Sequence, residues 1–191
     1  MFVAVEGPNG VGKTTIATLL AQRWSELRSA DVHLTREPTA TPLGQLVRNQ
    51  EDLLRGRALA LAVAADRTAH VDNEIAPLLS SNVNVVTDRY VPSSLVLQSI
   101  DGLAMDEIWT YNRHLPPALT IYLEDDPEVI RMRLAARARR SRLELAGTSE
   151  QELQLYREAA EYLHRRGWTQ HTINCQSRTA EHVVTTILTL L

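Results

Sequence analysis

The chain has 191 residues, 44% of them hydrophobic, which is enough to bury a sizeable core as one folded unit. A net charge of −3 gives no electrostatic pull toward nucleic acid or a membrane surface, and a single cysteine, Cys175, excludes an internal disulfide framework. No apolar stretch reaches the roughly 20 residues that cross a bilayer, and Glu6 breaks the first apolar run too early for a cleaved leader. The expected setting is cytoplasmic, with neither nucleic acid nor membrane as partner.

Phe2-Val3-Ala4-Val5-Glu6 reads as a strand that runs into Gly7-Pro8-Asn9-Gly10-Val11-Gly12-Lys13-Thr14, the spacing G-x-x-x-x-G-K-T. Glycines let the backbone wrap a polyphosphate with its N–H groups inward, and the helix that follows adds its positive end. Gly7, Pro8, Asn9, Gly10, Val11, Gly12, Lys13, Thr14 and Thr15 are therefore the expected ATP cradle. Lys13 reaches the β- and γ-phosphates and Thr14 is the expected Mg²⁺ ligand. The bland alternative is a glycine turn.

From Lys13 to Arg28, Ile16, Leu20, Trp24 and Leu27 recur at helical spacing. Residues 32–35 read as a second strand ending in Arg36-Glu37-Pro38, and Pro42 opens a short helix over 42–49. A long helix is predicted over 57–79, with Leu61, Ala64, Val71, Ile75 and Leu78 on one stripe, broken at Ser80-Ser81-Asn82. Residues 83–87 are a third strand closed by Asp88-Arg89-Tyr90; a short helix from Pro92 and another over 104–113 follow, then a fourth strand over 119–123. Asp125-Asp126-Pro127 opens a helix carrying Arg131, Arg133, Arg137, Arg139, Arg140 and Arg142. A helix over 149–166 with Ser149 as its cap, a strand over 172–174 and a terminal helix over 179–191 complete the chain. Strands alternating with helices imply an α/β fold, with a parallel sheet covered on both faces and ligands beyond the carboxyl ends of its strands. Residues 1–191 need only one domain.

Asp88, at the end of an apolar strand, is placed for Mg²⁺ or its water shell, or to cap the next helix. Arg89 beside it suits a phosphate, or a salt bridge. Arg36, Arg48 and Arg67 come from three segments; converging, they would hold a second phosphate, and singly each is a solvated charge. The arginine-dense run lacks the interleaved aromatics of a nucleic-acid patch. Part of it, over about 137–149, reads as a flap that closes over the triphosphate, with Arg137 and Arg142 as candidates for an internal arginine finger. The six histidines show no metal spacing.

Together these segments resemble the thymidylate kinase family over most of the chain. The resemblance is carried by Val5-Glu6-Gly7 before the phosphate loop, Thr35-Arg36-Glu37-Pro38, Thr41-Pro42-Leu43-Gly44 with Arg48, Ala64-Ala65-Asp66-Arg67 with His70, Asp88-Arg89-Tyr90 with Ser93, Ser94 and Gln98, Pro117, and Arg142-Leu143-Glu144. It implies a three-layer P-loop NTPase fold with a five-stranded parallel sheet, a flap, a homodimer, and transfer of the γ-phosphoryl of Mg·ATP to a pyrimidine nucleotide 5′-phosphate. By that match Arg36, Arg67 and Arg89 hold the acceptor, with Asn9, Glu37, Arg48, Val63, Ser94, Leu97 and Gln98 around it, and the flap arginines mark the bacterial-type arrangement. The chain departs from the pattern where Val63 replaces a ring-bearing phenylalanine, Leu97 a tyrosine beside the sugar, Asn9 the loop aspartate, Ser141 an aspartate, and Thr39-Ala40 a glycine pair. A redirected acceptor, a modified pyrimidine or a ribonucleotide, is the alternative these changes raise. A P-loop switch lacks the guanine-reading N-K-x-D segment here, and a nucleoside kinase would need a carboxylate base such as Glu37 or Asp66.

Overall fold

The structure is a computed structural model that describes residues 1–50, 53–137 and 142–191. Five strands, β1 (Phe2–Glu6), β2 (Val32–Arg36), β3 (Asn84–Asp88), β4 (Leu119–Glu124) and β5 (Gln170–Asn174), pair in parallel in the order β2-β3-β1-β4-β5. The central position of β1 explains its sequence. Val3, Ala4 and Val5 are wholly buried because helices cover both faces, so the strand reads as a continuous apolar run rather than an alternating one.

Alternate residues feed two cores. Val3, Val5, Ile121 and Leu123 face α1 (Lys13–Arg28), α7 (Pro127–Ala135) and α10 (Ala180–Leu188). Phe2, Ala4 and Tyr122 face α5 (Val91–Ile100), α6 (Met105–Asn112) and α9 (Ser149–His164). A smaller cluster, Val47 and Leu59 with Val63 and Leu97 against them, joins α2 (Pro42–Asn49), α3 (Gly56–His70) and α5. Parallel pairing in register brings Glu6, Arg36, Asp88 and Glu124 to one rim.

The helix expected over 57–79 divides into α3, a π-helical turn Val71–Ile75 and α4 (Ala76–Ser80). Ala76 N–H bonds to Val71 O, five residues back. Pro77 follows at once; it has no N–H and crowds the preceding turn, and the wider turn accommodates it within a continuous helical path. Two stripes need correction: Leu61 is 48% exposed and Leu27 is 71% exposed, and α3 buries Leu59, Ala60, Ala64 and Arg67 instead. The cap of α9 is Thr148, whose hydroxyl accepts from Gln151 N–H, with Ser149 already inside the helix. Part of the expected flap forms α8 (Arg142–Ala146); Arg139, Arg140 and Ser141 lie outside the described residues.

Candidate active site

The phosphate loop begins where β1 ends. Gly7 has φ of 139°, and a Cβ there would sit 2.4 Å from Leu123 O, so both the backbone angle and the neighbouring strand require glycine. Gly12 caps α1 with no side-chain cap bond and no acid in the first turn. The first amides of the helix and its positive end are therefore left for an anion. Lys13 is almost wholly buried and donates from Nζ to Gly7 O at 2.7 Å and Pro8 O at 2.9 Å. Burial, and then the Arg89 charge, push its pKa down to about 7.

Thr14 Oγ1 donates to Asp88 Oδ2 at 2.5 Å, while Asp88 Oδ1 is buried with no hydrogen-bond partner among the described residues. A hydroxyl and a carboxylate with one oxygen unclaimed fit a Mg²⁺ ion, which takes few protein ligands and completes its shell with phosphate oxygens and water.

Glu6 reaches across from the end of β1. Its Oε1 accepts from Tyr90 N–H at 2.6 Å and Ser93 N–H at 3.2 Å, and its Oε2 from Ser93 Oγ at 2.7 Å and Tyr156 OH at 3.3 Å. Burial raises its pKa against the pull of Ser93 and Arg89. Pinned at Tyr90, the chain holds Arg89 at φ of 77°, a left-handed conformation that costs about 1–3 kcal/mol in a non-glycine residue. Arg89 then donates to Ser93 Oγ at 3.0 Å and to Asn9 Oδ1.

Beside the loop opens a cavity of about 160 Å³. Asn9 and Arg89 form its loop side, Arg67, Ser94 and Gln98 its polar wall, and Pro38, Val47, Leu59, Val63 and Leu97 its apolar wall. Arg67 is 2% exposed. It donates to Glu37 Oε2 at 2.5 Å, Ser94 Oγ at 2.9 Å, Asn112 Oδ1 at 2.6 Å and Tyr90 O at 3.1 Å. Those bonds engage four of its five N–H donors. Gln98 Oε1 is buried without a partner among the described residues.

Both carboxylates of this cavity are committed to protein donors. Glu37 takes Arg67 and His70, the latter at 3.1 Å from Nδ1. Asp66 takes Thr39 N–H at 2.8 Å and Thr39 Oγ1 at 2.6 Å, tying down the 39–41 turn.

The expected acceptor arginines divide. Arg67 and Arg89 line the 160 Å³ cavity, whereas Arg36 lines an adjoining one of about 500 Å³ that also contains Thr14 and Asp88. Arg48 donates to Pro38 O; burial, then the nearby Arg36 charge, lower its pKa. Arg142 forms a two-pronged pair with Asp101, at 2.6 and 3.1 Å, and Arg137 follows the end of α7. On the far side of the loop, Val11, Gly12, Thr15, Asp125, Arg133, Cys175 and Arg178 line a cavity of about 240 Å³.

Several residues of the site escaped the sequence reading, among them Tyr156 behind Glu6, Asn112 against Arg67, and Glu152. Glu152, 2% exposed, accepts from Asn9 N–H at 2.7 Å and Asn9 Nδ2 at 3.1 Å. The available signal was its place on the buried stripe of α9, one turn before Tyr156.

A family model described as Thymidylate kinase matches residues 5–187. A protein of Thermomicrobium roseum named "Thymidylate kinase" is 41% identical over 177 residues, covering 85% of this chain and 79% of that one. A "Probable thymidylate kinase" of Thermococcus kodakarensis is 41% identical over 138 residues, covering 66% of this chain and 67% of that one. A crystal structure of thymidylate kinase from Ehrlichia chaffeensis superposes with a TM-score of 0.74 at 25% identity, covering 100% of this chain and 97% of that one.

Proposed function

The chain belongs to the thymidylate kinase family, and on that premise we propose that it transfers the γ-phosphoryl group of ATP to the 5′-phosphate of thymidylate. The observation that carries the reading is the acceptor cavity. It shares Asn9 with the phosphate loop and presents Arg67 and Arg89, while Glu37 and Asp66 are both engaged. A hydroxyl acceptor needs a carboxylate base. A nucleotide phosphate is already an oxyanion at neutral pH, so positioning and charge suffice.

In this proposal Lys13 leaves the Gly7 and Pro8 carbonyls for the β- and γ-phosphates, and the Arg89 guanidinium faces the acceptor phosphate across Asn9. Arg36, in the adjoining cavity, and Arg48, held on Pro38 O, are proposed as further cations for that phosphate. The thymine ring lies between the aliphatic walls of Val63 and Leu97 in place of a stacking ring. Its N3–H suits the unclaimed Gln98 Oε1, and the remaining Arg67 donor suits a ring carbonyl. The adenine of ATP lies toward Arg133 and Arg178. Thr14 and Asp88 would hold Mg²⁺, which supplies charge neutralisation at the transferring phosphates. Arg137 and Arg142 are proposed as flap cations over the triphosphate. In the same reading the chain is a single domain with a flap over about 137–149, and works as a homodimer in the cytoplasm. Among the described residues no helix is long and apolar enough to cross a membrane.

A coupled assay of ADP release over a panel of nucleoside monophosphates and free nucleosides tests the reading. Thymidylate should give the highest kcat/KM; a free nucleoside outrunning every monophosphate would overturn it.

A further inference from the structure

The Asn9 amide sits between two charges. Its Nδ2, together with its backbone N–H, donates to the two carboxylate oxygens of Glu152, and its Oδ1 accepts from Arg89. Glu152 and Asn9 are 2% and 3% exposed, so water cannot substitute for either partner. The carboxylate therefore fixes which end of the amide faces Arg89, because two acceptor oxygens admit only donors opposite them. Reversing the amide would set its nitrogen against the guanidinium and its oxygen against the carboxylate, two repulsive contacts in a low-dielectric site.

We propose that Glu152 is a positioning residue for phosphoryl transfer: acting through the Asn9 amide, it aims the Arg89 guanidinium into the gap between the phosphate loop and the acceptor cavity. This deepens the function proposed above and rests on it. Asp88, Glu6 and Glu152 all place negative charge near Arg89; the one that reaches it through the loop amide stands on α9. Nothing in the loop sequence shows it. The hydrogen-bond pattern also predicts that the charge can be moved. With Asp at position 9 and Gln at position 152, the backbone N–H of residue 9 meets the Gln oxygen, the Gln amide meets one carboxylate oxygen, and Arg89 meets the other. Every donor again has an acceptor, and the net charge is unchanged.

The test is the cycle Glu152→Gln, Asn9→Asp and the double variant N9D/E152Q, each assayed in the full chain with ATP, magnesium and thymidylate. Glu152→Gln leaves one acceptor for two donors, and should lower kcat by about 10- to 100-fold with a smaller change in KM for ATP. Asn9→Asp sets two carboxylates face to face and should also lower kcat. The double variant should recover kcat to within about fivefold of the parent, far above the product of the two losses. Should a single variant fail to fold, the double variant decides alone: folded but more than about 100-fold slower, it contradicts the proposal. A Glu152→Gln protein within about twofold of the parent, or a double variant showing the product of both losses, overturns it as well. Acceptor-independent hydrolysis of ATP is followed in the same samples. A parent that hydrolyses ATP but ignores thymidylate refutes the function above, and the cycle is then read in hydrolysis.

Discussion

Arg67 Nε donates to Glu37 Oε2 at 2.5 Å, with side-chain exposures of 2% and 3%. The pair joins α3 to the segment after β2 in the wall of the 160 Å³ cavity, and neither charge has water to fall back on. Arg67→Met would leave the Glu37 carboxylate buried with His70 as its remaining partner. Such a break costs about 3–5 kcal/mol, which urea unfolding would measure. A loss below about 1 kcal/mol would show that the cavity wall does not depend on the pair.

His70 extends this pair into a pH dependence. Burial pulls its pKa down, but the hydrogen bond and charge of Glu37, with Glu74 behind them, leave it raised above the ordinary value of 6.5. A histidine raised on folding contributes stability that is complete below its unfolded pKa and fades as pH rises through the folded one. The stability difference between the parent and His70→Gln should therefore shrink as pH is raised from 6 toward 8. A difference that grows over that range contradicts the assignment.

Lys13 gives a proton-linked binding signature. In the ligand-free loop its pKa stands near 7, so at pH 8 much of it is neutral. A triphosphate beside Nζ favours the charged form, and ATP binding at pH 8 should take up a proton, visible by calorimetry in buffers of different ionisation enthalpy. A depressed lysine pKa also means that this group's contribution to ligand-free stability rises with pH from about 7 toward 10.5. Lys13→Ala should abolish both turnover and the proton uptake while the fold survives; retained turnover would remove Lys13 from the mechanism.

Gln98 is the polar group with most to gain from a base. Its buried Oε1 lacks a partner among the described residues, and a site with a buried group awaiting a hydrogen bond discriminates strongly for the ligand that supplies it. Gln98→Leu should lower kcat/KM for thymidylate about 10- to 100-fold and leave KM for ATP unchanged. Equal losses for both substrates would argue for a folding defect.

Gly44 is required by a close approach rather than by a backbone angle. A Cβ there would lie 2.2 Å from Thr39 O and 2.6 Å from Thr39 N. Both are backbone atoms, which Asp66 holds through the Thr39 N–H and hydroxyl. Gly44→Ala should therefore push α2 off the 39–41 turn at a cost of about 1–3 kcal/mol, read by thermal unfolding, and raise KM for thymidylate more than for ATP.

The central strands β1, β3 and β4 were legible because strands covered on both faces carry mainly apolar runs, the half-exposed edge strands β2 and β5 less so, and the phosphate loop because its spelling follows from backbone geometry. Glu6, Arg36, Asp88 and Arg89 were placed at the rim by counting strand ends alone. Roles that depend on which way a side chain turns were harder to read. Arg67 looked like a phosphate ligand, yet four of its bonds go to protein, a commitment no spacing rule reports. Glu152 stands among Glu150, Glu158 and Glu161 in the sequence; its place on the buried stripe of α9 marks it as unusual, but its role depends on Asn9, 143 positions away. The π-helical turn at Val71–Ile75 was hidden because Val71 and Ile75 keep the apolar spacing of an ordinary helix.

The central claim is that the phosphate loop with Lys13, and the cavity lined by Arg67 and Arg89, receive two phosphorylated molecules end to end, their phosphates meeting beside Arg89. The most direct measurement is a calorimetric titration with adenosine and thymidine joined 5′ to 5′ through a pentaphosphate. The compound should bind one to one and more tightly than ATP or thymidylate alone, compete with both, and weaken on Lys13→Ala and on Arg89→Ala. Binding that competes with only one of the two nucleotides would contradict the account.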